Sequence, residues 1–324
     1  MFVCHRFRFI AVAALSIMFS TIAGQTAQAA PPDVVTSIKP VQALVKMVMG
    51  NLATPDVIMP PSASPHVFTM KPSQAKMLEE ADVVFWIGPQ LETTLSGPLE
   101  NVAGKAMVVE LLKTPGLDLI EYEHTDEHGH GTDEHGHGNL DPHIWLSPSN
   151  AKIMIDAIAA ALIRIDPNND TDYAMHAQKA KKRIDILIAQ TQRFTEGMRT
   201  APYLVQHDGF AYLAREFGLN QVGFVQTQPG REPGAKHVST LLQQIQQDGV
   251  KCLFHEAQYS PKLAQRLKAE ANVGLREIDP MGMHLTMTET TYVRLIQAIL
   301  INMESCLSPH NSGKVEYDTD RIEQ

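Results

Sequence analysis

The chain has 324 residues, a formal charge of −9, 44% hydrophobic and 6% aromatic content, and three cysteines. That length suits two domains of ordinary size, and the aliphatic content excludes a fibre, a coiled coil or a disordered chain. An acidic balance argues against nucleic acid and anionic membranes as partners, and favours the attraction of cations.

The amino terminus reads as a secretory leader. Arg6 and Arg8 precede the uncharged run Phe9–Ala23, and Ala27-Gln28-Ala29 offers a small-x-small cleavage site. An uncleaved anchor is the alternative, but the run is short of the roughly 20 apolar residues a spanning helix needs. Cleavage after residue 29 removes Arg6, Arg8 and Cys4, which takes the formal charge from −9 to −11 and leaves Cys252 and Cys306. No cysteine follows the apolar run closely enough for a lipid anchor, so the expected location is the periplasm of a bacterium. An even number of cysteines in an oxidising compartment suggests one disulfide, with two buried thiols as the alternative.

Short apolar runs alternating with helical patterns predict an α/β fold with mainly parallel sheets. In the first half the strand candidates are Val34–Ile38, Pro55–Met59, Asp82–Ile87 and Ala106–Leu111. Helices are predicted over Val41–Met49, Pro72–Glu80, Leu91–Val102 and from Ser147-Pro148 to Ile165. Asp170–Met198 then reads as one long helix, with Tyr173, Ala180, Ile184, Leu187 and Phe194 on one face. The alternation resumes with strands Tyr203–Gln206, Gln221–Val225, Cys252–Glu256 and Gly274–Ile278. Helices are predicted near Phe210–Phe217, Ala235–Gln247, Ser260–Ala271 and Thr288–Cys306. The expected organisation is a leader (1–29), a first α/β lobe (30–169), a linker helix (170–199) and a second α/β lobe (200–324). The polar tail after Ser308 is expected to fray.

Within the first lobe, residues 121–139 carry the unit TDEHGHG twice, Thr125–Gly131 and Thr132–Gly138. The tract holds His124, His128, His130, His135 and His137 with six carboxylates and no lysine or arginine. Imidazole suits zinc, copper and nickel, and the carboxylates add field and further ligands. The pattern points to a transition metal, zinc above all, and leaves open whether the metal is carried or used for chemistry. A secondary, weaker site is the role expected of the tract.

The primary-site candidates lie elsewhere, directly beyond strand candidates, where open α/β sheets bind ligands. His66 ends the loop from Met59 through Pro60, Pro61 and Pro65. His143 sits in Asp141-Pro142-His143-Ile144-Trp145, His207 ends the run Tyr203–Gln206, and Asp279 ends the last strand. Two come from each half, so a cation bound by all four would lie between lobes. His255-Glu256 is not followed by a second histidine, so no HExxH motif forms. His237 and His284 fall near the expected mouth of the cleft, while His176 and His310 read as structural or solvated. Met281, Met283 and Met287 read as flexible packing rather than copper ligands.

Ser64-Pro65-His66, Met70-Lys71-Pro72-Ser73, Asp82–Gly88, Asp141–Pro148 and His207–Gly218 together give the chain a specific likeness. It resembles the periplasmic solute-binding proteins of zinc-uptake ABC transporters, the ZnuA type, over nearly the whole mature chain. The resemblance implies that His66, His143 and His207 coordinate the ion. It implies Asp279 as the fourth ligand, as in many relatives; zinc members also use water or a carboxylate beside the first histidine. Here Pro65 stands beside His66, which leaves Asp279 or water, with Asp279 preferred. A histidine rather than glutamate at 207 favours zinc over manganese. The likeness further implies a Cys252–Cys306 disulfide, a monomer, and as partners a membrane permease with its cytoplasmic ATPase, the membrane being met only through the permease. Two other readings stay open: a manganese or iron carrier of the same fold, and a secreted zinc hydrolase, since three histidines with an open position is also a catalytic pattern.

Overall fold

A computed structural model describes residues 30–121, 140–226 and 233–308. The leader, His124, His128, His130, His135, His137, His310 and the tail after Ser308 lie outside the described residues. Two four-stranded sheets form, every pairing parallel. The first contains β1 (Val34–Thr36), β2 (Asp56–Val57), β3 (Val83–Trp86) and β4 (Met107–Glu110), in the order β2-β1-β3-β4. The second contains β5 (Tyr203–His207), β6 (Gln221–Gln226), β7 (Cys252–Glu256) and β8 (Gly274–Ile278), in the equivalent order β6-β5-β7-β8.

The near-continuous apolar runs of β1, β3 and β5 are buried along their length, as parallel strands covered on both faces require. Around the first sheet lie α1 (Lys39–Met49), α2 (Pro72–Glu80), α3 (Ser96–Asn101) and α4 (Pro148–Ile165). Around the second lie α6 (Ala211–Phe217), α7 (Ala235–Gln247), α8 (Lys262–Ala271) and α9 (Thr291–Leu307). Between the lobes runs α5 (Asp170–Phe194), packed on α1 and α4 from one side and α9 from the other. One buried core therefore extends from Val34 and Leu44 through Tyr173, Ile184 and Leu187 to Tyr292 and Ile296. A second, smaller cluster lies under α7 and α8. No helix among the described residues is long and apolar enough to cross a membrane.

The fold departs from the sequence expectation in two helices. The single helix expected over Leu91–Val102 is a 3-10 turn, Thr93–Leu95, followed by the short α3. Pro98 lacks an N–H and fits only a first helical turn, and Thr94 Oγ1 donates instead to Phe68 O at 2.8 Å. The linker helix stops at Phe194 rather than Met198. There Thr195 Oγ1 bonds back to Thr191 O at 2.9 Å, and Gly197 offers little helix propensity. Residues Ile144–Leu146 form a 3-10 turn that leads into α4, whose Ser147 N-cap accepts from Asn150 N.

Cys252, the first residue of β7, is bonded to Cys306 near the end of α9, with a Cα–Cα distance of 6.2 Å. In the chain-entropy account, closing a loop of that separation, 54 residues, stabilises by about 4 kcal/mol. A side chain at Gly274 would run into the Cys306 and Cys252 sulfurs, so the bridge needs glycine beside it.

Candidate metal centre

Parallel strands in both sheets point their carboxyl ends at the same gap, so the loops that leave those ends meet there. His66 arrives on a 3-10 turn, Pro65–Val67, at the end of the proline-rich loop after β2. His143 stands directly before the turn that opens α4, and His207 is the last residue of β5. Their ring centroids are 5.0–5.4 Å apart. His143 Nε2 lies 3.2 Å from His66 Nε2 and 3.1 Å from His207 Nε2. Zinc–nitrogen bonds of 2.0–2.1 Å in a tetrahedron put neighbouring nitrogens roughly 3.3 Å apart. The His143 ring is thus spaced from both of the others as along two edges of a zinc tetrahedron.

Each of two rings is aimed by a carboxylate. His143 Nδ1–H donates to Asp141 Oδ1 at 2.7 Å, and the same oxygen accepts the His143 backbone N–H at 2.9 Å. His207 Nδ1–H donates to Glu256 Oε1 at 2.5 Å. Fixing the proton on Nδ1 leaves Nε2 with its lone pair turned to the shared point, and the carboxylate makes that nitrogen a stronger donor. Asp141 and Glu256 are 0% and 2% exposed, so neither bond is diluted by solvent.

The rings differ in how they hold protons. Burial, then the neighbouring His143 and His207, push His66 down to about 2, so it stays neutral. Burial also acts to lower His207, but Glu256, through charge and hydrogen bond, with Asp141 and Asp208 beyond, outweighs it and the net shift is upward. The hollow between the rings is about 10 Å³, room for one water-sized occupant. Trp145, Tyr259 and Met281 wall it. A monatomic ion fits and an organic ligand does not.

Among the described residues these three histidines are the one convergent group of metal-ligating side chains, with ligand atoms within 4.8 Å of one another. Asp279, expected as the fourth member, is not brought into it. Its Oδ1 accepts from Gln258 Nε2, Met281 N and Gly282 N at 2.9–3.0 Å, and Oδ2 accepts from Met283 N at 2.5 Å. The carboxylate organises its own loop because three backbone N–H groups lie closer to it than the imidazoles do. Of the other histidines, His237 Nε2 bonds Val225 O and His176 Nδ1 bonds Val48 O, both structural roles. His255 Nε2 lies 3.9 Å from Glu277, and Met281 is buried packing at the wall.

Sequence reasoning missed Asp141, Glu256 and Gly209 as functional positions. Asp141 was visible two residues before His143. Glu256 depends on β7 lying next to β5, which only the strand order reveals. A Cβ on Gly209 would come within 2.7 Å of His207 Nε2 and 3.2 Å of His143 Nε2, so this glycine keeps the coordination space clear.

Two parallel α/β lobes that contribute imidazoles to one ion-sized hollow define a two-lobed metal-binding protein. The comparisons with known proteins agree. The profile of the family described as zinc-uptake complex component A, periplasmic, matches residues 34–306, and the chain belongs to that family. It is 30% identical over 305 residues to the high-affinity zinc uptake system protein ZnuA of Brucella suis, covering 85% of this chain and 91% of that protein. It is 30% identical over 305 residues to ZnuA of Paracoccus denitrificans, covering 87% and 93%. The fold matches a crystal structure of ZnuA with TM-score 0.74 at 24% identity, over 86% of this chain and 99% of that one. The periplasmic zinc-binding protein TroA from Treponema pallidum matches with TM-score 0.74 at 22% identity, over 85% and 99%. The chain is a metal-binding component of a transport system, from a family that is periplasmic.

Proposed function

We infer that this protein captures zinc in the periplasm and hands it to the permease of an ABC importer, whose cytoplasmic ATPase drives uptake. The carrying observation is the convergence of His66, His143 and His207 Nε2 atoms from both lobes. Three neutral imidazoles suit a borderline-soft ion, whereas manganese prefers more oxygen. The names of the Brucella and Paracoccus relatives support zinc as the cargo. Water takes the fourth position, since the Asp279 oxygens are engaged by Gln258 and the 281–283 backbone. The leader Met1–Ala29 is removed on export, and the protein works as a monomer that meets the membrane only through the permease.

Binding and delivery, not hydrolysis, is the reading the site supports. The buried carboxylates at the site, Asp141 and Glu256, are each bonded to a zinc-ligand imidazole, an arrangement that orients ligands. The tract at 121–139 adds weaker zinc equivalents that raise the local supply. The test is metal analysis of protein purified without added metal, followed by competition between zinc and manganese. One tight zinc, lost in His143→Ala and retained when residues 121–139 are deleted, is expected. Preferential retention of manganese would overturn the cargo, and loss of the tight equivalent on deletion would reverse the hierarchy of sites.

A further inference from the structure

The turn that follows β7, Glu256 to Tyr259, touches the metal group from several sides. Glu256 aims His207. The Tyr259 ring lies 5.8 Å from the His207 ring, while its hydroxyl sits 3.0 Å from Ser64 Oγ in the other lobe. Gln258 Nε2 donates to Pro61 O at 3.0 Å, again in the other lobe, and to Asp279 Oδ1 at 2.9 Å. Pro61 and Ser64 belong to the loop that ends at His66. Prolines 60, 61 and 65 restrict that loop's backbone, so a hold at 61 and 64 is transmitted to the ring at 66.

His66 is the member of the group that needs such a hold. His143 and His207 are buried and each is bonded to a carboxylate. His66 is half-buried, and among the described residues no carboxylate is bonded to its ring. Val67 beside it is 62% exposed, so the segment is within reach of a docking partner.

We propose that Gln258 and Tyr259 are positioning residues that clamp the His66 loop of the first lobe onto the second, making His66 the ligand that engages on capture and withdraws on delivery. This rests on the capture-and-delivery reading above. Separating the 256–259 turn from Pro61 and Ser64 frees His66 while His143 and His207 keep their carboxylates. The ion is then left on two imidazoles, ready to be passed on.

The test is the rate of zinc loss from the full chain into excess chromogenic chelator, read on the slow phase by stopped flow. Tyr259→Phe and Gln258→Leu each remove one clamp bond and are expected to speed that phase roughly 10-fold, in the range found for groups that orient metal ligands, with the metal-free unfolding midpoint unchanged. In a His66→Ala background neither substitution should alter the rate, because the clamped ligand is already gone. Equal acceleration in that background, or none in the native one, overturns the clamp. If His66→Ala and His143→Ala themselves leave the slow phase intact, it is the metal site that fails, and the two failures are told apart.

Discussion

His207 Nδ1 lies 2.5 Å from Glu256 Oε1, a bond between the carboxyl ends of two adjacent parallel strands. It sets the tautomer of His207 and strengthens Nε2 as a ligand. Glu256→Gln keeps an acceptor but removes the charge, so zinc affinity at neutral pH should fall roughly 10-fold. The same change withdraws the main influence that raises His207, so protons compete less in the variant. The affinity gap should therefore narrow as pH drops, which chelator competition across a pH series would reveal.

Proton competition at the native site should be shallow. His207 is held above its ordinary value and takes up a proton first as pH falls, whereas His66 stays neutral down to about 2. Metal affinity should decline as pH falls through the raised His207 value, with His66 contributing nothing to the slope. A plot of log Kd against pH that approaches three protons per ion would contradict this. For metal-free stability the two signs oppose. The raised His207 adds stability that is present below its unfolded value and lost as pH rises through the folded one. The depressed His66 costs stability as pH falls below 6.5.

Gly209→Ala should damage binding without unfolding the chain. Gly209 is absent from the positive-φ positions, so alanine suits its backbone. The new methyl would meet His207 Nε2 and Cε1 at 2.7 and 2.9 Å. The ring must turn away, and zinc affinity should fall by roughly 10–100-fold. Calorimetric titration together with far-UV circular dichroism separates lost binding from lost structure.

Glu92 is fully buried, with Ser37 Oγ donating to it at 2.5 Å and Gly88 N at 2.9 Å. Burial raises it from 4.5 to about 7, against the hydrogen bonds that act to lower it. The unfolded chain loses this proton first, so stability falls as pH rises from 4.5 towards 7 and then levels off. The cost is up to about 3 kcal/mol above that window. Glu92→Gln should flatten the decline, which thermal unfolding of metal-free protein at about pH 5 and pH 8 would measure. An equally steep decline in the variant would show that Glu92 is not its source.

Local pattern carried far in this chain. Pro72–Glu80, Ala235–Gln247, Cys252–Glu256 and Gly274–Ile278 form where periodicity and turn residues predict them. Those signals are short-range properties of neighbouring side chains. Where a tertiary contact competes, as Thr94 does by bonding Phe68 O, the helical pattern at 91–102 broke. The three histidines were legible because each follows a strand candidate or precedes a helix in the sequence, and the cysteine pair because it stands alone in the mature chain.

Residue type and placement after strand candidates, with the family likeness, were enough to single out the three histidines that the fold brings together, since imidazole chemistry and parallel-strand geometry follow from local sequence. What the tertiary structure decided was partnership. Glu256 serves His207 because β7 lies beside β5, and Asp279 turns to the 281–283 backbone because those N–H groups are nearest. Gln258 and Tyr259 reach Pro61 and Ser64, nearly 200 positions back along the chain. Such pairings depend on distances between segments remote in sequence, and periodicity holds no record of them.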